Sequence, residues 1–146
     1  MIKEACVLPD YSNIPQEILE IPRKYKNIVI VGASHKPERP SYIVMEYLLK
    51  EGFKVIPVNP AREEILKQKV YPSLLALPSD FHPEVIIIFR RSDKVLPIVE
   101  EAIKLKPKVI WMQEGVINEE AKNLAEKEGI KAVSYTHLRA HETRHD

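Results

Sequence analysis

Short apolar runs punctuate the chain at residues 28–31, 54–58, 85–89, 108–112 and 131–133, and segments of helical period lie between them. This alternation predicts βαβ units and a parallel sheet, because parallel neighbours need a crossover that carries the chain back to the same end. A minor extended piece is expected at Val70 and Tyr71. Residues 41–51 put Ile43, Val44, Tyr47 and Leu48 on one face, begin at a Ser after Pro40 and stop at Gly52, which predicts a helix. Residues 93–106 carry Val95, Ile98, Val99, Ala102 and Ile103 at helical spacing behind a Ser92 cap, with one donor removed by Pro97. Residues 119–128 follow Asn118, place Glu119 and Glu120 where the helix dipole favours anions, and close at Gly129. Two more helices are expected, a leading one over residues 15–25 and a short one over residues 62–68.

Right-handed crossovers between these strands predict an α/β fold: a doubly wound parallel sheet in three α/β/α layers, forming a single domain. The expected strand order is 3-2-1-4-5, extended by the last strand, with Val70 and Tyr71 supplying strand 3. Pro57 conflicts with that order, since it removes a donor from an interior strand, and its place near the strand's end is the expected excuse. Along the chain, residues 1–26 read as a helical lead-in, 27–133 as the folded domain and 134–146 as a tail of different character. A chain of 146 residues suits one domain with a substantial core.

Composition narrows the function classes. At 45% hydrophobic and 29% charged, with four Gly, the chain is neither disordered nor fibrous. The 22 Lys and Arg against 21 Asp and Glu leave a net charge of +1 and no general electrostatic case for nucleic acid or an anionic membrane. Any anion site must be local. Cys6 is the one cysteine, so an intramolecular disulfide and a cysteine metal cluster are excluded. With no apolar run near the roughly 20 residues of a membrane helix and no signal-like N-terminus, a cytoplasmic location is expected.

In an open parallel sheet, ligands sit past the carboxyl ends of the strands where the strand order reverses. After the first strand, Gly32-Ala33-Ser34-His35-Lys36-Pro37-Glu38-Arg39-Pro40-Ser41 delivers the chain to a helix start. Unpaired N–H groups and a partial positive charge lie there, with the charges of Lys36 and Arg39 beside them, and together they suggest a phosphate site. The same residues also read as a tight turn at Gly32, a helix cap at Ser41 and solvated Lys36 and Arg39. Only Gly32 of a GxGxxG pattern is present, and Val58-Asn59-Pro60 ends the second strand without the acid that would hold an NAD ribose. Both features weigh against a dinucleotide cofactor. Beyond the fourth strand, Phe89-Arg90-Arg91-Ser92 brings two guanidinium groups to the ligand side, as anion clamps or as partners of Glu38 or Asp93. Past the fifth, Met112-Gln113-Glu114-Gly115 supplies an apolar wall, amide groups and a turn, while Trp111 reads as core. His35 and His82 read as surface residues. His137, His141 and His145 recur every four residues but lack a carboxylate or Cys partner at metal-site spacing, so no metal is assigned. No Ser-His-Asp order, carboxylate pair or Cys-His pair occurs in these loops, which argues for binding without catalysis.

These residues resemble the short CoA-binding proteins with a Rossmann-type fold, relatives of the CoA-binding domain of succinyl-CoA synthetase. The resemblance is carried by VGAS at 31–34, RPSYIVMEYLL at 39–49, PVNP at 57–60, EIL at 64–66, YPSL at 71–74, IFRRS at 88–92 and VIWMQEGVINEEA at 109–121. It implies a ligand of CoA or acyl-CoA type, with Ala33, Ser34, Arg39 and Ser41 facing phosphate and Asn59 and Pro60 facing the adenosine part. Phe89, Arg90, Gln113 and Gly115 would line the pantetheine path. Lys67 departs from the family, which usually has Gly there. So does the end of the chain, where residues 134–146 resemble translated sequencing adapter in place of the family's Asp-Arg-Cys segment. The competing readings are an NAD(P)-binding oxidoreductase fragment or redox sensor, and a regulatory partner module of an acyl-CoA enzyme.

Overall fold

The apolar runs become the strands of one parallel sheet. The computed structural model describes residues 16–19, 21–22, 24–60, 64–90, 92–112 and 119–134. In chain order they form α1 (Gln16–Leu19), β1 (Asn27–Val31), α2 (Pro40–Lys50), β2 (Lys54–Val58), β3 (Glu64–Ile65), β4 (Gln68–Lys69), a 3-10 turn (Leu74–Ala76), β5 (Val85–Ile88), α3 (Ser92–Lys104), β6 (Val109–Met112), α4 (Glu119–Lys127) and β7 (Lys131–Ser134). The main sheet has the order β2-β1-β5-β6-β7, with every neighbouring pair parallel. It is a doubly wound α/β sheet of the Rossmann-like kind. The expected edge strand at Val70 and Tyr71 shrinks to a single parallel bridge between Val58 and Tyr71.

Both faces of the sheet are covered, which is why the strands read as unbroken apolar runs. On one face Ile28, Ile30, Val85, Ile87 and Trp111 pack with Val44, Met45 and Leu48 of α2 and with Ile18 of α1. On the other, Val29, Val31, Ile86, Ile88, Ile110 and Met112 meet Val95, Val99 and Ala102 of α3 and Ala121 and Ala125 of α4. The three-layer expectation holds. At the amino end of the sheet the Glu84 carboxylate accepts from the backbone N–H of Lys26 at 2.7 Å and of Asn27 at 3.2 Å, which fixes the start of β1.

Several local expectations are corrected. Residues 64–69 form an antiparallel hairpin instead of the short helix expected over 62–68, pairing Glu64 with Lys69 and Ile65 with Gln68. Its turn holds Leu66 at φ 50° and Lys67 at φ 66°, two consecutive left-handed residues that a helix cannot contain and a tight hairpin requires. The leading helix is shorter than expected, Gln16–Leu19, and Ile21 N–H to Ile18 O and Tyr25 N–H to Pro22 O carry the chain onward as turns. Ile21 precedes Pro22, a position disfavoured in a helix. Helix α2 begins at Pro40, one residue before the expected Ser41, with Arg39 at the cap position and no side-chain cap bond. Proline suits that first position because its missing N–H would have had no partner. Helix α3 likewise includes Ser92, which had been expected as its cap.

Pro57 is tolerated for a reason other than the one expected. Its carbonyl accepts from Tyr71 N–H at 3.1 Å, away from β1. The N and C=O of one strand residue point to the same side, so the missing N–H faces the open edge of β2 and costs no bond to β1. Among the described residues, no helix is long and apolar enough to cross a membrane.

Candidate functional site

The carboxyl ends of β1, β2 and β5 converge at the point where the strand order reverses. The N–H groups of Gly32 and Ala33 both donate to Val58 O, at 2.9 and 3.3 Å, and Phe89 N–H donates to Val31 O at 2.8 Å. Gly32 has φ 83°, and a Cβ there would lie 2.4 Å from Phe89 O and 2.9 Å from Arg90 Cδ. The Phe89-Arg90 backbone therefore lies directly on Gly32, and the stem of Arg90 runs across it. Only glycine permits both the dihedral angle and the close approach. Asn59, at the end of β2, donates from Nδ2 to Ala33 O at 2.7 Å, and its N–H donates to Tyr71 O at 2.9 Å. That side chain ties β2 to the first loop.

The first loop is then braced on itself. Lys36 N–H donates to Ser34 Oγ at 3.1 Å, and Arg39 N–H donates to Lys36 O at 3.0 Å. Helix α2 opens with Ile43 N–H to Arg39 O at 3.1 Å. The N–H groups of Ser41 and Tyr42 precede that bond and face the loop, as helix geometry demands of the first turn. No acidic residue occupies that turn, so the partial positive charge of the helix is not neutralised locally.

These elements enclose an open cavity of about 390 Å³. Gly32, Ala33, Ser34, Lys36 and Arg39 line it from the loop after β1, Ser41 from the start of α2, Asn59 from just past β2, and Phe89 and Arg90 from just past β5. Of the expected site residues, Pro60 is exposed beside Asn59 and does not line it. Arg91, Gln113 and Gly115 lie outside the described residues. Pro40 also lines the cavity, and its place between a cationic loop and an apolar helical run was the signal for it. Ser41 is 3% exposed, Arg90 is half-buried, and Lys36 and Arg39 are exposed. Among the described residues, no carboxylate lines the cavity. Among the described residues, Lys36, Arg39 and Arg90 have no ion-pair partner, so their charge is available to a ligand. His35 and His82 are exposed, and no group of three or more His, Cys, Asp or Glu positioned for a metal occurs among the described residues. The three histidines of the tail lie outside them.

The model of the CoA binding domain matches residues 26–138, which span the whole sheet and all of this cavity. The chain belongs to the CoA binding domain family. Its domain is 34% identical to the uncharacterized protein YneT of Bacillus subtilis over 113 residues, covering 77% of this chain and 82% of YneT. It is 31% identical to the alpha subunit of the ADP-forming acetate–CoA ligase I of Pyrococcus furiosus, covering 70% of this chain and 24% of that subunit. A CoA binding domain of this size thus corresponds to about a quarter of that ligase subunit. Among solved structures, a hypothetical protein from Pyrococcus horikoshii OT3 superposes with a TM-score of 0.75 at 44% identity, over 87% of this chain and 89% of that one.

Proposed function

We propose that this CoA binding domain takes CoA or an acyl-CoA at the cavity where β1, β2 and β5 end, and performs no chemistry on it. The observation that carries this reading is the convergence of Lys36, Arg39 and Arg90 with the first turn of α2 on one cavity that has no carboxylate among its described lining residues. Such a cradle suits a pyrophosphate, which needs N–H donors and cations on several sides. In this reading Ala33, Ser34, Arg39 and Ser41 hold phosphate, with Gly32 allowing close backbone approach and Lys36 adding charge. Asn59 and Pro60 border the adenosine part. Phe89 and Arg90 begin the path of the pantetheine arm, continued by Arg91, Gln113 and Gly115.

Catalysis is not assigned because, among the described residues lining the cavity, no His or carboxylate accompanies the hydroxyls of Ser34 and Ser41. An NAD(P) oxidoreductase is the poorer reading. Asn59 occupies the end of β2, where a ribose-binding acid is needed, and its Nδ2 is engaged with Ala33 O. Native mass spectrometry of the purified protein, followed by calorimetric titration with CoA and NAD, tests the assignment. CoA is expected to bind more tightly. Equal or tighter binding of NAD overturns it.

A further inference from the structure

A second cavity, an open groove of about 320 Å³, lies toward the amino ends of β5, β6 and β7, away from the first. Val85, Val109, Trp111 and Val133 form its floor, and Ile21 and Tyr25 border it. Helix α2 packs over β2 on this face of the sheet, whereas α3 and α4 lie on the other. Ile21, Tyr25, Val109 and Val133 are therefore left only partly buried. Half-exposed apolar side chains gathered in one concavity favour a partner that covers them.

The rim of this groove is cationic. Lys131 lines it, and the Nζ of Lys24 stands 5.4 Å over the ring of Tyr25. Backbone bonds set further lysines in a row along the same end of the sheet. Lys26 N–H donates to Glu84 Oε1 at 2.7 Å, Lys108 N–H to Glu84 O at 2.8 Å, and Lys131 N–H to Lys108 O at 3.2 Å. Neighbours in such a row are about 4.8 Å apart at the backbone. Lys24, Lys26, Lys108 and Lys131 are all exposed, and none has an ion-pair partner among the described residues. Glu84, the carboxylate within the row, is engaged by the N–H groups of Lys26 and Asn27. Glu128, on the turn before β7, is exposed and makes no ion pair with Lys131.

We propose that this end of the sheet docks a partner protein, through an acidic segment whose aromatic side chain enters the groove and whose carboxylates meet Lys24, Lys26, Lys108 and Lys131. Charge complementarity selects that occupant. A two-fold pairing of this face with a second copy would bring the cationic rim onto itself. Nucleic acid would satisfy the lysines and leave the apolar floor uncovered. An apolar anchor surrounded by acids uses both features, with the anchor supplying affinity and the charges supplying approach and orientation. The first cavity lies past the carboxyl ends of the strands, so the partner and the ligand of that cavity do not compete. The proposal is independent of what the first cavity binds.

The test titrates the isotope-labelled full chain with a short peptide of a central Phe between two runs of Glu, and with versions carrying Ala for the Phe or Gln for every Glu. Amide shifts map the contact, and emission from Trp111, the one tryptophan of the chain, reports occupancy of the groove. Saturable shifts are expected at residues 24–26, 108–111 and 131–133, with residues 32–41 unmoved. The Ala version should bind at least about tenfold more weakly, since burying a phenyl ring is worth that much. The Gln version should also be weaker, and raised salt should narrow its difference from the Glu peptide. Lys108→Glu and Lys131→Glu, both at exposed positions, should each weaken the Phe peptide at least about twofold without lowering the melting temperature. Absence of a saturable shift at the groove overturns the proposal, and so does equal binding of the Ala peptide. Shifts confined to residues 32–41 overturn it by sending the acidic peptide to the first cavity. Phosphatidylserine vesicles or a DNA duplex that move the same amides at lower concentration than the peptide give the lysines to a membrane or to nucleic acid instead. Self-association that Val133→Glu abolishes gives the groove to a second copy, and peptide binding seen only after deletion of residues 1–15 gives it to the chain's own leading residues; either overturns the proposal.

Discussion

Replacing Gly32 by Ala tests the claim that three strand ends meet because nothing but a hydrogen projects from this position. The new Cβ would stand 2.4 Å from Phe89 O, whereas an ordinary C···O contact is about 3.3 Å or longer, so something must retreat by roughly 0.9 Å. Phe89 is not free to do so, since its N–H holds Val31 O at 2.8 Å and extends the β1–β5 ladder. The added methyl also meets Arg90 Cδ at 2.9 Å, which displaces the cation nearest the strand ends. Overpacking of this kind costs about 1–3 kcal/mol, and a left-handed φ at an alanine about 1–2 kcal/mol more. Reduced freedom of the unfolded chain returns about 0.4–1 kcal/mol. A net loss of about 2–4 kcal/mol is expected. Gly52→Ala is the internal control, because Gly52 has φ 94° but nothing within 4 Å of its would-be Cβ, and Gly129 at φ 81° is a second. These should lose only about 1 kcal/mol each. Urea unfolding at constant m-value measures the differences directly. In thermal scans, at about 2–4 °C per kcal/mol, Gly32→Ala should melt roughly 2–12 °C below Gly52→Ala and bind CoA more weakly. If Gly32→Ala is no less stable than the two controls, the close approach of the β5 loop to Gly32 is wrong.

Arg39→Ala and Arg90→Ala should each weaken CoA binding by about 1.5–3 kcal/mol through loss of charge-assisted bonds, with little change in melting temperature. Arg39→Lys should be intermediate because it keeps charge and loses the planar fork. A fall in melting temperature with unchanged affinity in calorimetry would make either arginine a structural residue. Asn59→Asp replaces a donor to Ala33 O, now at 2.7 Å, by an acceptor facing an acceptor. Urea titration should show a loss of about 1–3 kcal/mol together with weaker CoA binding, and an unchanged protein would show that the bond does not shape the loop. Lys67→Gly should stabilise the chain by about 0.5–1 kcal/mol, because φ 66° is strained for lysine and free for glycine. A lower melting temperature for that variant would refute the hairpin turn.

The amino-acid sequence by itself determined the elements whose signal is local. The unbroken apolar run at 85–89 and the shorter one at 55–58 marked strands covered on both faces, and the periodic faces of α2, α3 and α4 followed from side-chain spacing alone. The order of the strands followed as well, because right-handed crossovers leave few arrangements. Residues 64–69 were not legible in this way. Glu64 to Lys69 carry no turn residue, and the left-handed pair Leu66 and Lys67 is imposed by packing of Ile65 and Val70 into the core. Which way Pro57 faces was equally hidden, since a one-residue change of register reverses it. At the candidate site, the sequence marked Gly32, Lys36, Arg39 and Arg90 as unusual for their places. That Gly32 touches the Phe89 carbonyl, that Asn59 binds Ala33 O and that Phe89 meets Trp111 are contacts between residues 22 to 57 positions apart. No periodicity carries such information; it exists only once β1, β2, β5 and β6 lie side by side and their ends are brought within bonding distance.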